Sequence, residues 1–281
     1  NIREIIDTLF VKNAKKSLDK LNLRHRHYIK SEKYKGEIHF STGSNTARSS
    51  SNFYALNNGI ATLFEIRGVG IGKTSFKRRI NSGLAVGFSY LKTAFENSNF
   101  IFDQIDIANT YTNDIVLQHE RSIYTDVIKA IDIESNELID FTTTMHSSKD
   151  SYAISKRDRP IAYIIKKNNY AFIEKLNDIG VNYVEFEKDT MIYSGSYKVV
   201  EFNNNFKIYE KMKMQKVVTS IEYSENKFSK GDILISMNQK RSNLIAELLE
   251  PEAPNSYVSF GIIKTTLNSQ LPIYRIKNFN N

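Results

Sequence analysis

The 281 residues include 39 Lys and Arg against 31 Asp and Glu, giving a formal charge of +8 and a sequence pI near 9.3. Hydrophobic content of 41% and charged content of 25% are ordinary for a globular chain, and the length suits one large or two medium domains. The absence of cysteine excludes disulfides, thiolate metal sites and a cysteine nucleophile, and no apolar run approaches the roughly 18 residues of a membrane span.

The basic residues are densest over 12–20, 24–35, 73–79 and 207–216, each time interleaved with apolar or acidic positions. They read as solvated faces, and no nucleic-acid partner is expected. Ile2, Ile5, Ile6, Leu9, Phe10, Ala14, Leu18 and Leu21 recur at helical spacing, which predicts an amphipathic helix over 2–21. The run LRHRHYI, 23–29, alternates as a strand would and places His25 and His27 on one face. Such a pair can ligate a metal, but no third ligand stands at recognisable spacing. Residues 37–40 read as a short strand. The polar loop STGSNTARSSSN, 41–52, contains one cation, Arg48, either a surface residue or a clamp for an anion.

The stretch NNGIATLFEIRGVGIGKTSFKRRI, 57–80, organises the rest. Residues 60–66 form an apolar run between Gly59 and Gly68, which predicts a buried strand. Glu65 lies inside it. Burying an unpaired carboxylate costs several kcal/mol, so Glu65 needs a partner or a role; Arg67, two residues on and on the same strand face, is the nearest partner. A carboxylate at the end of a buried strand, just before a turn, is where open α/β sheets place their chemistry. GVGIGKT is not a phosphate loop, because Arg67 occupies the place of its first glycine, and the three glycines do not spell G-x-G-x-x-G. A helix is predicted from about Thr74, with Phe76, Ile80, Leu84, Phe88, Leu91 and Phe95 along one face. Lys77, Arg78 and Arg79 fall in its first turns, where the helix dipole disfavours cations.

From about Ile105 the chain becomes β-rich. Strands are predicted over 115–121, 124–133 and 138–145, the last two joined as a hairpin at 134–137. Residues 147–158 are polar. Further strands are predicted over 160–165, 181–186, 190–202, 207–223, 232–237 and 273–276. Helices are expected over 169–179, closed by Gly180, and over 243–249, capped by Ser242 and ended by Pro251. No Ser-His-Asp arrangement and no paired carboxylates stand out, and His119 and His146 have no sequence company.

Four stretches carry a resemblance to a known family: FYALNNGIATLFEIRGVGIGKTSFKRRI (53–80), RDRPIAY (157–163), GDIL (231–234) followed by LLEPEAP (248–254), and LPIYR (271–275). In this order they resemble the zinc carboxypeptidases, the carboxypeptidase A-like metallopeptidases, and most closely bacterial members with an extra C-terminal domain. The resemblance implies an α/β fold: residues 1–104 would be the C-terminal part of a mixed catalytic sheet with helices, and 105–281 a β-rich α+β accessory domain. It implies hydrolysis of C-terminal peptide bonds by zinc-activated water, with Glu65 as general base. Tyr54 (or Tyr28), Arg48 and Arg67 would face a peptide substrate, and secretion or a periplasmic location would follow the family. The family's zinc ligands, His-x-x-Glu and a later His, have no counterpart among His25, His27, His39, His119 and His146. Zinc is therefore expected in the intact enzyme and not in this chain. The chain reads as a C-terminal fragment, inactive alone, whose partner is the missing N-terminal portion. The alternative is a non-catalytic module that binds peptide or polymer, with Glu65 merely balancing Arg67.

Overall fold

The structure is a computed structural model and describes residues 2–168 and 170–278. Asn169, at the expected start of one helix, lies outside them. The fold is mixed α/β with two sheets. In chain order the elements are α1 (Ile2–Ile5), a π-helical stretch (Ile6–Val11), α2 (Lys12–Asp19), β1 (Ile29–Tyr34), β2 (Glu37–Thr42), α3 (Ser50–Leu56), a 3-10 turn (Val69–Ser75), α4 (Phe76–Glu96) and α5 (Ser98–Asn109). There follow β3 (Ile115–Ile131), β4 (Leu138–Arg157), β5 (Ala162–Ile165), α6 (Tyr170–Asp178), β6 (Val184–Glu185), β7 (Thr190–Tyr209), β8 (Met212–Phe228), β9 (Ile233–Ser236), α7 (Ser242–Leu249) and β10 (Gln270–Ile276). Two compact units emerge: residues 1–45, 60–104 and 119–153 form the first, and 46–59, 105–118 and 154–281 the second.

In the first unit the predicted N-terminal stripe buries Ile5, Phe10, Ala14 and Leu18. Ala14 and Leu18 pack on Val86 of α4, with Leu23, Phe64, Ala85 and Tyr90 around them. The four-stranded sheet runs β1-β2-β4-β3, with β2 and β4 parallel. The strand expected over 23–29 is not formed: 23–28 are irregular and only Ile29 enters β1. Residues 24–28 are all exposed, so the alternation has no apolar face with which to fix a strand. The two strands expected between 115 and 133 are one, β3, and β4 continues through the polar 147–157. Its turn is held by Asp132 N–H donating to the Glu137 carbonyl at 2.9 Å, with Asn136 at φ 57°.

The second unit is built on the sheet β6-β9-β5-β10-β7-β8. Ile165, Phe172, Leu176, Val199, Ile235, Ile245, Leu249 and Ile273 are buried together, each worth roughly 1.5–3 kcal/mol relative to exposure. The β7–β8 hairpin closes through Glu210 and Lys211, both at positive φ, the twist that two-residue hairpins favour. α7 departs from expectation at its start: Arg241 is the N-cap, and Ser242 is a buried first-turn residue making no cap bond.

A polar hub sits in this core. In the sheet register Arg275 of β10 lies opposite Tyr163 of β5 and Gly195 of β7, so Tyr163, Arg275 and Tyr197 share one face. Glu250, at the end of α7 and fully buried, accepts hydrogen bonds from the hydroxyls of Tyr163 (2.5 Å) and Tyr197 (2.9 Å) and from Arg157 Nη1 (2.6 Å). Arg157 also donates to Glu252 at 2.8 and 3.1 Å, and Glu252 accepts the backbone N–H and hydroxyl of Thr219. Burial opposes the Arg157 charge, but Glu252 and Glu250 outweigh it and hold its pKa above the ordinary value. Burial, then the Glu250 charge, pushes both tyrosine hydroxyls well up, so they stay donors. Arg275, also fully buried, donates to the Asp158 carbonyl and pairs with its carboxylate at 3.4 Å.

Removing one member of a buried pair strands the other in low dielectric, at a cost of about 3–5 kcal/mol. Glu250→Ala should lower unfolding stability by about that amount, read by urea denaturation followed through tyrosine emission. A change under roughly 0.5 kcal/mol, the scale of a neutral surface substitution, would mean that the hub does not hold the core.

Candidate functional site

The segment around Glu65 lies in the first unit. Residues 60–66, expected as a buried strand, carry no strand pairing, and among the described residues no backbone hydrogen bond joins 60–67 to another segment. Exposure still alternates as along a strand. Thr62 and Phe64 turn inward: Tyr90 Oη donates to Thr62 Oγ1 at 2.9 Å, and the Phe64 and Tyr90 rings meet edge-on at 5.3 Å. Leu63 and Glu65 turn outward, Leu63 with 62% of its surface open. The expected burial of Glu65 is therefore overturned, and so is its pairing with Arg67: both are exposed, and among the described residues no ion pair joins them. The run keeps a half-buried side through Thr62 and Phe64, but only a neighbouring strand could bury the other.

The turn beyond is tightly made. Ser75 Oγ donates to the carbonyls of Gly68 (2.8 Å) and Gly72 (3.2 Å). Gly68 has φ 143°, and a Cβ there would stand 2.4 Å from Arg79 Cδ and 2.6 Å from Ser75 Oγ. Arg78 Nη2 reaches back to the Arg67 carbonyl at 3.5 Å. Ile66, Phe76, Arg79 and Ile80 line an open hollow of about 230 Å³ beside the turn.

The remaining residues expected at a site lie elsewhere. Arg48 and Tyr54 belong to the second unit. The Arg48 guanidinium lies 3.6 Å over the Tyr209 ring and donates to Thr46 Oγ1 at 3.2 Å. Tyr54, on α3, is 58% exposed, and Tyr28 is exposed as well. His25 bonds Asp19 at 2.8 Å, while burial, then Lys15, lowers the pKa of His27. His146, which lacks company in sequence, has it in space: His39 Nδ1 lies 2.9 Å from His146 Nε2, because the parallel β2–β4 register brings Ser41 opposite His146. His119 is shifted down by burial and then by Arg121. Among the described residues no three His, Cys, Asp or Glu stand close enough to hold a metal.

The sequence reading also misses the Glu250–Glu252 pair sharing Arg157. The signal was present in LLEPEAP, where two acids flank a proline at a helix end, but nothing in sequence shows which cation they meet.

With this geometry in place, the chain can be set beside known proteins. It is 28% identical to Carboxypeptidase 2 of Trichophyton rubrum over 98% of its own length and 52% of that protein's. It is 26% identical to Carboxypeptidase 2 of Trichophyton tonsurans over the same shares, and 26% identical to Probable carboxypeptidase 2 of Arthroderma benhamiae over 89% and 48%. These relatives are fungal, and the chain spans about half their length. No protein-family model and no solved structure matches it.

Gly68→Ala combines an unfavourable backbone with a clash against Arg79 and Ser75. It should cost about 1–3 kcal/mol, read as a lowered Tm. An unchanged Tm would show that the turn is not held as described.

Proposed function

We propose that this chain is part of a carboxypeptidase, a zinc metallocarboxypeptidase in its complete form, that hydrolyses C-terminal peptide bonds. The observation that carries the reading is the placement of Glu65: an exposed carboxylate on the open face of 60–67, with no ion pair among the described residues, at the lip of the glycine turn, in a chain similar along nearly all its length to proteins named carboxypeptidase. In this reading residues 1–104 are the C-terminal part of the catalytic domain and 105–281 an accessory domain.

The described residues do not fit a zinc site, since they supply no three-ligand set. What the chain supplies is a proton carrier. Glu65 takes a proton from the attacking water and delivers it to the leaving amine, work for which a positioned carboxylate supplies typically 10²–10⁴-fold. Arg67, on the same outward side, offers a guanidinium group for the substrate's terminal carboxylate, the pairing that a planar fork of donors favours.

The test uses a protein that combines this chain with the remaining half of the relatives' length, assayed on a peptide with a free C-terminus. Glu65→Gln keeps size and polarity but cannot carry the proton, so kcat should fall by about 10²–10⁴ with KM little changed. Normal turnover in Glu65→Gln would remove Glu65 from the reaction. Peptide binding without hydrolysis by the unsubstituted protein would favour a binding module instead.

A further inference from the structure

The α4 helix is buried on the wrong side. Its sequence offers an apolar stripe, Phe76, Ile80, Leu84, Phe88, Leu91 and Phe95, at spacings of three and four that keep it within one face over roughly 28 Å. The structure buries the opposite face, through Val86, Ser89 and Thr93. Every member of the stripe is exposed, Phe88 by 66%, Leu91 by 68% and Phe95 by 84%. Six large side chains standing mostly open present on the order of 600 Å², the top of the range for a monomer's largest apolar patch.

We infer that this face docks the polypeptide corresponding to the half of the relatives' length that has no counterpart in this chain. Three observations select that occupant. The chain matches the relatives along 98% of itself yet spans 52% of them, so those proteins hold a further stretch of similar length. Among the described residues the segment 60–67 makes no strand pairing, and it leaves Leu63 open in the same unit as the stripe. Lys77 and Arg78 stand exposed in the first turn of α4, where the dipole disfavours cations, so the occupant's face is apolar with carboxylates at one end. The inference rests on the carboxypeptidase reading for the identity of the occupant, and not on any activity.

Because the chain has no cysteine, single substitutions report on cover directly. Leu91→Cys on the stripe and Glu137→Cys in the β3–β4 turn would be labelled with a maleimide, alone and after co-expression with the unmatched half of Trichophyton rubrum Carboxypeptidase 2. Labelling at Leu91→Cys should slow at least tenfold in the recovered complex while Glu137→Cys is unchanged, and Phe88→Asp should abolish the complex. Failure to form a complex, or equal labelling within it, overturns the inference. So does slowing at Leu91→Cys in the isolated chain as its concentration rises, which would make a second copy the occupant. A complex that protects Leu91→Cys but hydrolyses no peptide would uphold the docking face and sink the peptidase reading. Full hydrolysis unaffected by Phe88→Asp would do the reverse.

Discussion

The buried carboxylate of Glu250 is the constraint around which the second unit is arranged. A charge with no water around it is tolerable only when donors surround it. Here the donors come from β4, β5 and β7, while Glu250 itself comes from the end of α7. Strand order and register follow from that requirement as much as from the apolar residues, because a one-residue slip of β10 or β7 would turn Arg275 or Tyr197 to the other face. Three of the stretches that carry the family resemblance, RDRPIAY, LLEPEAP and LPIYR, converge on this hub.

Among the described residues of the first unit, Ala14, Leu18 and Val86 form a small nucleus with Phe64 and Tyr90 beside them, while Leu63, Phe88, Leu91 and Phe95 stay open. Among the described residues, the segment 60–66 has no strand beside it, and α4 turns its apolar stripe outward. Glu65 stands exposed on the outward side of that segment.

Much of the fold was legible in sequence where the signal is local. The N-terminal stripe, the turn at 134–137, the closure of α6 by Gly180 at φ 68° and the termination of α7 before Pro251 all follow from spacing and turn chemistry. The failures share a cause. The run 60–66 has the composition of a buried strand, yet pairing is a property of two segments and cannot be read from one. The histidine pair 39–146 and the Arg157–Glu250–Glu252 cluster join residues about a hundred positions apart, and only the register brings them together. For the candidate site, the glycine turn and the helix after it read correctly from 57–80, whereas the buried strand expected over 60–66 does not form, because pairing and burial depend on what surrounds it.

Amide hydrogen exchange on this chain tests the central claim most directly, namely that the hub closes the second unit while 60–67 remains an unpaired edge. Amides at 162–165 and 273–276 should exchange only through global opening, and those at 60–67 at rates close to an unstructured peptide. Protection at 60–67 equal to that at 162–165 would contradict the account.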